Sequence, residues 1–174
     1  MCDYKKIFQE VLSVHHNHTK WIDADFGDIK IISNTKVGSV GQDFIEKLCE
    51  ELSIKTAFPV NKGNIRLKQS PWDIEINSVK FELKTATEDV SGCFQFNHVR
   101  YHRKYDALLC LGVSPNALRF GIWSKAEITT GKAGNLVSME KAANASYKLT
   151  KRPDHLYDIE DFEKVIKKFT NSFS

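Results

Sequence analysis

The chain has 174 residues, a formal net charge of +3 and 41% hydrophobic residues. These values are typical of a single folded domain over residues 1–174, and they exclude a disordered or strongly charged polypeptide. The longest apolar run covers residues 107–111 and reaches Val113 only through Gly112, which is too short to span a bilayer. No apolar signal core follows Met1, so the sequence predicts a cytoplasmic protein without a membrane partner.

The cysteines do not have the spacing of metal ligands. Cys2, Cys49, Cys93 and Cys110 form no Cys-x-x-Cys pair, and three of them lie in apolar surroundings. We therefore expect free, buried thiols of a reducing compartment rather than a metal site.

The chain opens with a predicted amphipathic helix over residues 4–14, where apolar residues recur at helical spacing. His15, His16 and His18 follow it as a cluster. No acid or cysteine beside them completes a metal-ligand set, so a loop near DNA or plain solvent exposure is the favoured interpretation.

A second helix is predicted from a capping-box pattern. Ser39 and Gln42 have the spacing of that motif, which predicts that the helix begins there and runs to about Leu52. Glu46 lies about 130° from the centre of its apolar stripe, on the flank of the helix. Without further context Glu46 is interpreted as a solvated helix acid.

The stretch 72–84 alternates apolar and polar residues with a period of two on either side of Asn77-Ser78. This pattern predicts two half-buried strands joined by a two-residue loop. With that loop Asp73 lies directly across from Glu82, and like charges at such a distance destabilise a sheet. A divalent cation between the two carboxylates would account for them; an exposed hairpin with alternating charges is the alternative.

Residues 94–99 predict a further strand after Gly92, and the apolar runs 106–113 and 118–123 predict buried central strands. A closing helix begins at Asp158 and places Ile159, Phe162, Ile166 and Phe169 on one face. Helices and strands in this order predict an α/β fold with a mixed sheet.

The pair Glu82 and Lys84 has the composition of a hydrolytic metal site. The two residues are separated by one position on a strand, so their side chains share a face. Carboxylates are ligands that Mg²⁺ prefers, and a lysine beside them orients or deprotonates water, or stabilises charge on phosphate oxygens.

These residues carry a family resemblance. Pro71-Trp72-Asp73, followed nine residues after the aspartate by Glu82-Leu83-Lys84, resembles the PD-(D/E)xK signature of the restriction-endonuclease-like nucleases. Residues 41–46 are similar to the first core helix of that family, whose glutamate often joins the metal site, and Gln95 is similar to an auxiliary glutamine. Trp72 separates Pro71 from Asp73, so the Pro-Asp pair of the signature is not intact. The resemblance covers roughly residues 38–125.

The resemblance implies a restriction-endonuclease-like core, a central mixed β-sheet flanked by helices, and Mg²⁺-dependent hydrolysis of double-stranded DNA to 5′-phosphate ends, with Mn²⁺ able to substitute. The implied catalytic residues are Asp73, Glu82, Lys84, Glu46 and Gln95. The implied metal ligands are Asp73, Glu82 and the main-chain carbonyl of Leu83. Glu75 shares the face of Asp73 and is its rival, although Lys80 opposite it favours a cross-strand ion pair.

The basic residues are concentrated in two stretches that we expect to contact DNA phosphates or base edges. The first interleaves aromatic and basic side chains after the candidate site. The second lies near the end of the chain, and an ordinary solvated surface is an equal alternative for it. These residues are Arg100, His102, Arg103, Lys104, Lys148, Lys151 and Arg152.

The leading hypothesis is a small type II restriction endonuclease that acts as a homodimer, since cutting both strands of a palindrome calls for two-fold symmetry. A companion DNA methyltransferase is then expected in the cell. The alternatives are a structure-specific junction or repair nuclease on the same fold, and a catalytically inactive DNA-binding module. The intact Asp73, Glu82 and Lys84 argue against the inactive module.

Overall fold

The computed structural model describes residues 3–14, 19–67, 70–140 and 145–173. The histidine cluster and Cys2 lie outside these ranges. The helices are α1 (Tyr4–Val14), α2 (Asn34–Glu51), α3 (Lys125–Thr129) and α4 (Phe162–Asn171). The strands are β1 (Thr56–Ala57), β2 (Ile74–Ile76), β3 (Val79–Thr87), β4 (Phe94–Val99), β5 (Ala107–Ser114), β6 (Ala117–Ser124), β7 (Leu136–Ser138), β8 (Tyr147–Lys151) and β9 (Tyr157–Asp158).

The strands form two sheets. The larger has the order β1-β2-β3-β5-β6-β9, and the smaller has the order β4-β8-β7. Strands β3 and β5 are parallel, whereas the other neighbours in the larger sheet are antiparallel. The predicted fold class, α/β with a central mixed sheet flanked by helices, is confirmed.

The predicted hairpin forms with the predicted loop. Ile76 pairs with Val79, so Asn77 and Ser78 alone make the turn. Both turn residues have positive φ, 48° and 70°, as a two-residue type I′ turn requires. Asn tolerates this region better than most residues because its short side chain bonds locally. The turn fixes the register, and with it the face that each side chain of β3 takes.

Strand β3 separates two hydrophobic cores. Phe81 and Leu83 pack on the face covered by α2 and α4, with Ile45, Leu109 and Ile166. On the opposite face the smaller sheet and α3 cover Leu108 and Cys110, through Phe94, Phe96, Leu149 and Ile128. Because side chains alternate along a strand, Glu82 and Lys84 point away from Phe81 and Leu83. The pair thus faces the smaller sheet and not the solvent.

Helix α2 begins five residues before the predicted capping box. Its N-cap is Ser33, whose hydroxyl accepts a hydrogen bond from the Lys36 backbone N–H at 3.4 Å. Ser39 and Gln42 therefore lie inside the helix, and the capping-box prediction is wrong. The pattern misleads because Ser33 is followed three residues later by Lys36, which cannot complete a reciprocal cap.

Gly41 lets α2 approach β3 closely. A Cβ at this position would meet the Thr85 side chain, with 2.8 Å to its Cβ. We expect Gly41→Ala to lower the free energy of unfolding by about 1–2 kcal/mol, because overpacking outweighs the better helix propensity of alanine. Gly38→Ala is the matched control: the same helix has open space there, so alanine should stabilise by about 0.5–1 kcal/mol. Urea unfolding would measure both, and a stabilised Gly41→Ala would contradict the close approach.

Helix α1 forms as predicted, but four of its apolar side chains are exposed. Tyr4, Ile7, Phe8 and Val11 are all exposed. The predicted free thiols are found at Cys49 and Cys110, which are buried, and at Cys93, which is half-buried. Within the described ranges, no helix has both the length and the apolar character needed to cross a bilayer.

Candidate active site

A buried carboxylate lies at the centre of the candidate site. The Glu82 side chain has 0% exposure, and its Oε1 lies 2.7 Å from Lys84 Nζ. Arg103 Nη1 donates to both carboxylate oxygens, at 3.1 Å to Oε1 and 2.9 Å to Oε2. Lys84 and Arg103 keep 19% and 23% of their side-chain surface exposed. A buried charge is tolerated only when it is paired and hydrogen-bonded, and these two cations meet that requirement.

Arg103 reaches Glu82 from the turn between β4 and β5. Its backbone N–H donates to the Arg100 carbonyl at 3.0 Å, and its own carbonyl accepts from the Tyr105 N–H at 3.1 Å and from the Lys125 ammonium. These hydrogen bonds hold the backbone of the turn. The guanidinium therefore projects over β3 from a position that the backbone fixes.

Asp73 lies where the ladder between β2 and β3 ends. Its N–H donates to the Phe81 carbonyl at 2.8 Å, and its Oδ2 accepts from the Leu83 N–H at 2.8 Å. The Asp73 carboxylate thus accepts the Leu83 N–H where a backbone carbonyl of β2 would otherwise accept it. The ladder ends at Ile74, so the predicted pairing of Asp73 with Glu82 does not form. The N–H and C=O of one residue face the same neighbouring strand in an antiparallel ladder. The Leu83 carbonyl is therefore directed to the edge that Asp73 occupies.

A cleft of about 970 Å³ opens over Asp73. Its wall is basic: Arg66, Arg100, His102 and Arg103 line it. Trp72, Gln42 and Asp43 are also on the wall. Arg103 belongs both to this cleft and to the Glu82 cluster, so it connects the buried carboxylate with the open space.

Glu46 lies beside the cleft and is paired. Its Oε2 is 3.0 Å from Arg66 Nη1, with 36% and 39% side-chain exposure. The Arg66 guanidinium also lies 3.7 Å from the centroid of the Phe58 ring. The described contacts of Glu46 do not include Asp73 or Glu82.

Gln95 lines a second groove, of about 460 Å³, together with Lys84. Its amide donates to Asp89 Oδ2 at 2.8 Å. Burial alone would raise the pKa of Asp89, but hydrogen bonds from Ser91, Cys93 and Gln95 lower it from 3.8 to about 2. The Gln95 amide is thus hydrogen-bonded to Asp89, in the groove that the Lys84 side chain also lines.

We expect Gln95→Ala to raise the pKa of Asp89 toward 3.8, because the carboxylate loses one donor to its charged form. A depressed pKa stabilises the fold above the unfolded value, and this contribution is lost as the pH falls through the folded value. The wild type should therefore be more stable than Gln95→Ala above pH 3.8, and this difference should fade as the pH falls toward 2. An NMR titration of Asp89 measures the shift, with Asn97→Ala on the same strand as control. An unchanged pKa in Gln95→Ala would contradict the pairing.

The predicted DNA-contact residues separate into two groups. Arg100, His102 and Arg103 line the cleft, and Lys104 is exposed beside them. The second group lies on and after β8, and none of it lines that cleft. Its members are Lys148, which is half-buried, Lys151, whose ammonium lies 4.8 Å from the Trp123 ring centroid, and Arg152, which is 3.4 Å from Asp154. Burial lowers the pKa of Lys151.

The donors fit a hard divalent cation. Asp73 and Glu82 supply carboxylate oxygens and Leu83 a carbonyl oxygen, the ligand types that Mg²⁺ prefers. Two cationic side chains already neutralise Glu82. No cluster of three or more His, Cys, Asp or Glu side chains suited to a metal occurs in the part of the chain that the structure describes.

Sequence reasoning missed the partners that come from distant segments. Arg66 lies in a turn-rich stretch where its charge has the pattern of an ordinary surface residue. Gln42 donates to the Asp73 carbonyl at 3.5 Å, although the sequence suggested a capping role. Only the helical spacing of Gln42 and Glu46 could have suggested that both lie on the same face of α2.

No protein-family model matches the chain, and a comparison with curated protein sequences finds no match. Among solved structures, that of the bacterial homing endonuclease I-Ssp6803I is similar to this chain, with a TM-score of 0.47 and 9% sequence identity. The match covers 82% of this chain and 99% of the endonuclease chain. A likeness this distant says nothing about individual side chains.

Proposed function

We propose that the protein is a metal-dependent endonuclease that hydrolyses phosphodiester bonds of double-stranded DNA. The observation that carries this proposal is the fully buried Glu82, held by Lys84 and Arg103 beside a basic cleft that contains Asp73. An acid–base cluster of this kind is weak as a stabilising device, since well-packed apolar residues of similar volume often serve the fold as well or better. Chemistry at the carboxylate accounts for its place in the core.

Each polar group at the edge of β3 has a role in this reaction. Asp73, Glu82 and the Leu83 carbonyl would hold Mg²⁺, with Mn²⁺ as a substitute. The ion when bound supplies activated water and neutralises charge on the phosphate. Lys84 lies beside Glu82 and orients the attacking water or stabilises the phosphate oxygens as charge develops. Water attacks phosphorus and the bond to the 3′ oxygen breaks, which leaves a 5′-phosphate and a 3′-hydroxyl.

The cleft supplies the surface for the substrate. Arginine pairs with phosphate in bidentate geometry, and Arg66, Arg100 and Arg103 all line the cleft. Such contacts position a duplex whatever its sequence. We further propose a sequence-specific type II restriction enzyme that acts as a homodimer beside a companion DNA methyltransferase, a proposal that rests on the resemblance of Asp73, Glu82 and Lys84 to the signature.

We expect Arg100→Ala to weaken DNA binding and to reduce the slope of log affinity against log salt by about 1. The physical reason is that one fewer phosphate contact releases one fewer condensed counterion. Lys164→Ala, an exposed change on α4, is the matched control and should leave the slope unchanged. Equal slopes in the wild type and Arg100→Ala would remove the cleft wall from the DNA interface.

Digestion of phage DNA with Mg²⁺ tests the proposed function. Discrete, reproducible fragments would support a sequence-specific endonuclease. Cleavage confined to branched or damaged duplexes would instead favour a junction or repair nuclease on the same fold. Binding without any cleavage would overturn the enzymatic proposal and favour a DNA-binding module.

A further inference from the structure

Arg103 covers Glu82 on the side of the cleft. Glu82 Oε2 accepts from Arg103 Nη1 at 2.9 Å and has no other partner among the described residues, whereas Oε1 is shared with Lys84. Arg103 is also the one member of this cluster that lines the large cleft. Any cation that approaches Oε2 from the cleft therefore meets the guanidinium first.

We propose that Arg103 is an exchangeable counter-ion: its guanidinium holds Glu82 in the metal-free protein and turns to a phosphate of bound DNA when a divalent cation takes its place. This inference rests on the proposed function and adds a coupling between the metal and the substrate. In this proposal the Arg103 side chain binds first the Glu82 carboxylate and then a DNA phosphate.

Charge repulsion prevents the Arg103 guanidinium and the divalent cation from binding Glu82 at the same time. Lys84 and Arg103 already bring two positive charges to one carboxylate. A divalent cation added beside them would raise the local positive charge to four, against Glu82 and Asp73. Like charges at such short range repel strongly in a partly buried site. The guanidinium and the metal also need the same oxygen, Oε2.

The backbone around Arg103 limits the exchange to the side chain. Three hydrogen bonds, to the Arg100 carbonyl and from Tyr105 and Lys125, tie the Arg103 backbone in place. The side chain is 23% exposed, and the space open to it is the cleft that Arg100 and Arg66 share. A phosphate there offers the guanidinium a bidentate acceptor equivalent to the carboxylate it leaves. Release of Arg103 thus adds a third arginine to the phosphate-binding wall.

The consequence is reciprocal linkage. DNA that draws Arg103 away exposes Glu82 to the metal, and metal that displaces Arg103 frees it for DNA. Without DNA, Arg103 competes with the metal. Removal of Arg103 should therefore tighten metal binding by at least about fivefold and abolish most of the enhancement by DNA, within the usual range of allosteric coupling.

Calorimetric titration with Ca²⁺, which we use as a metal that binds without turnover, tests this in the presence and absence of a 20-base-pair duplex, about the size of a binding site. In the wild type, Ca²⁺ should bind at least about fivefold more tightly with the duplex present. Arg103→Ala should bind Ca²⁺ more tightly without DNA and gain little from the duplex. Arg119→Ala, which breaks an arginine–carboxylate pair with Asp158 outside the cleft, should keep the Ca²⁺ affinity of the wild type and its gain from DNA.

Unchanged or weaker Ca²⁺ binding by folded Arg103→Ala would overturn the exchange while leaving the proposed nuclease intact, provided that the wild type binds and cuts DNA. A wild type that binds neither Ca²⁺ nor the duplex would overturn both. A second measurement needs no variant: the NMR signal of the Arg103 Nη1 protons, which bond Glu82, should change in the wild type from a protected to a solvent-exchanging state when Ca²⁺ is added without DNA. A signal that stays protected at saturating Ca²⁺ would overturn the exchange.

Discussion

Replacement of Lys84 by alanine should lower the rate of DNA cleavage by about 10³-fold, the scale of a positioned proton-transfer group. The Lys84 ammonium is the partner of Glu82 Oε1 at 2.7 Å, and its chain reaches the surface. Its loss leaves the water unoriented and the developing phosphate charge uncompensated. DNA binding in Ca²⁺ should change little, because the arginines that line the cleft remain. Single-turnover cleavage and a binding titration measure the two effects.

Asp73→Ala should give the same pattern through a different cause, the loss of a metal ligand at the edge of β3. Lys168→Ala, an exposed change on α4, is the control for loss of a positive charge and should cut DNA as the wild type does. Cleavage at full rate in either Lys84→Ala or Asp73→Ala would show that the hairpin is not the active site.

Glu82→Ala should lower the free energy of unfolding by about 3 kcal/mol. The change removes the carboxylate that neutralises two partly buried cations and leaves both without a partner, the costly way to break a buried ion pair. The estimate is taken at the lower end of the usual range because Lys84 and Arg103 keep 19% and 23% exposure. Urea unfolding at neutral pH would measure the loss.

Glu75→Ala provides the matched control on the same hairpin. Glu75 is half-buried and lies opposite Lys80 in the ladder. Because no ion pair is found between these two side chains, both of which the structure describes, the loss of Glu75 should cost less than about 1 kcal/mol. Equal losses in the two variants would mean that Glu82 does not neutralise the cations as the geometry indicates.

Local patterns predicted the hairpin well. The alternation around Asn77-Ser78 and the short side chains at the turn defined β2, the loop and the register of β3. They also fixed that Glu82 and Lys84 share a face, because this depends only on the pleat of one strand. The strands 94–99, 107–114 and 117–124 follow from equally local runs.

The burial of Glu82 could not be read from the same pattern. A strand face that carries Lys80, Glu82 and Lys84 resembles a solvated surface, and only tertiary structure covers it. The smaller sheet and Arg103, which is 21 residues further along the chain, provide that cover. Long-range partners of this kind leave no periodic signal in the sequence.

Two other differences have local causes. The sequence predicts the start of α2 at Ser39 because Ser39 and Gln42 match a capping motif, and the interior of a helix tolerates the same residues. The sequence predicts that the ladder between β2 and β3 continues to Asp73. In the structure the Asp73 carboxylate accepts the hydrogen bond of the Leu83 N–H instead, in place of a backbone carbonyl. Aspartate competes with backbone hydrogen bonding in this way at the ends of strands and turns.

Cleavage of supercoiled plasmid DNA, followed over time with Mg²⁺ and with EDTA, tests the central claim most directly. The site at the edge of β3 predicts nicked and then linear product with Mg²⁺, no product with EDTA, and no product from Asp73→Ala under either condition. Equal cleavage with Mg²⁺ and EDTA, or cleavage by Asp73→Ala at the rate of the wild type, would contradict a metal-dependent nuclease built on Asp73, Glu82 and Lys84.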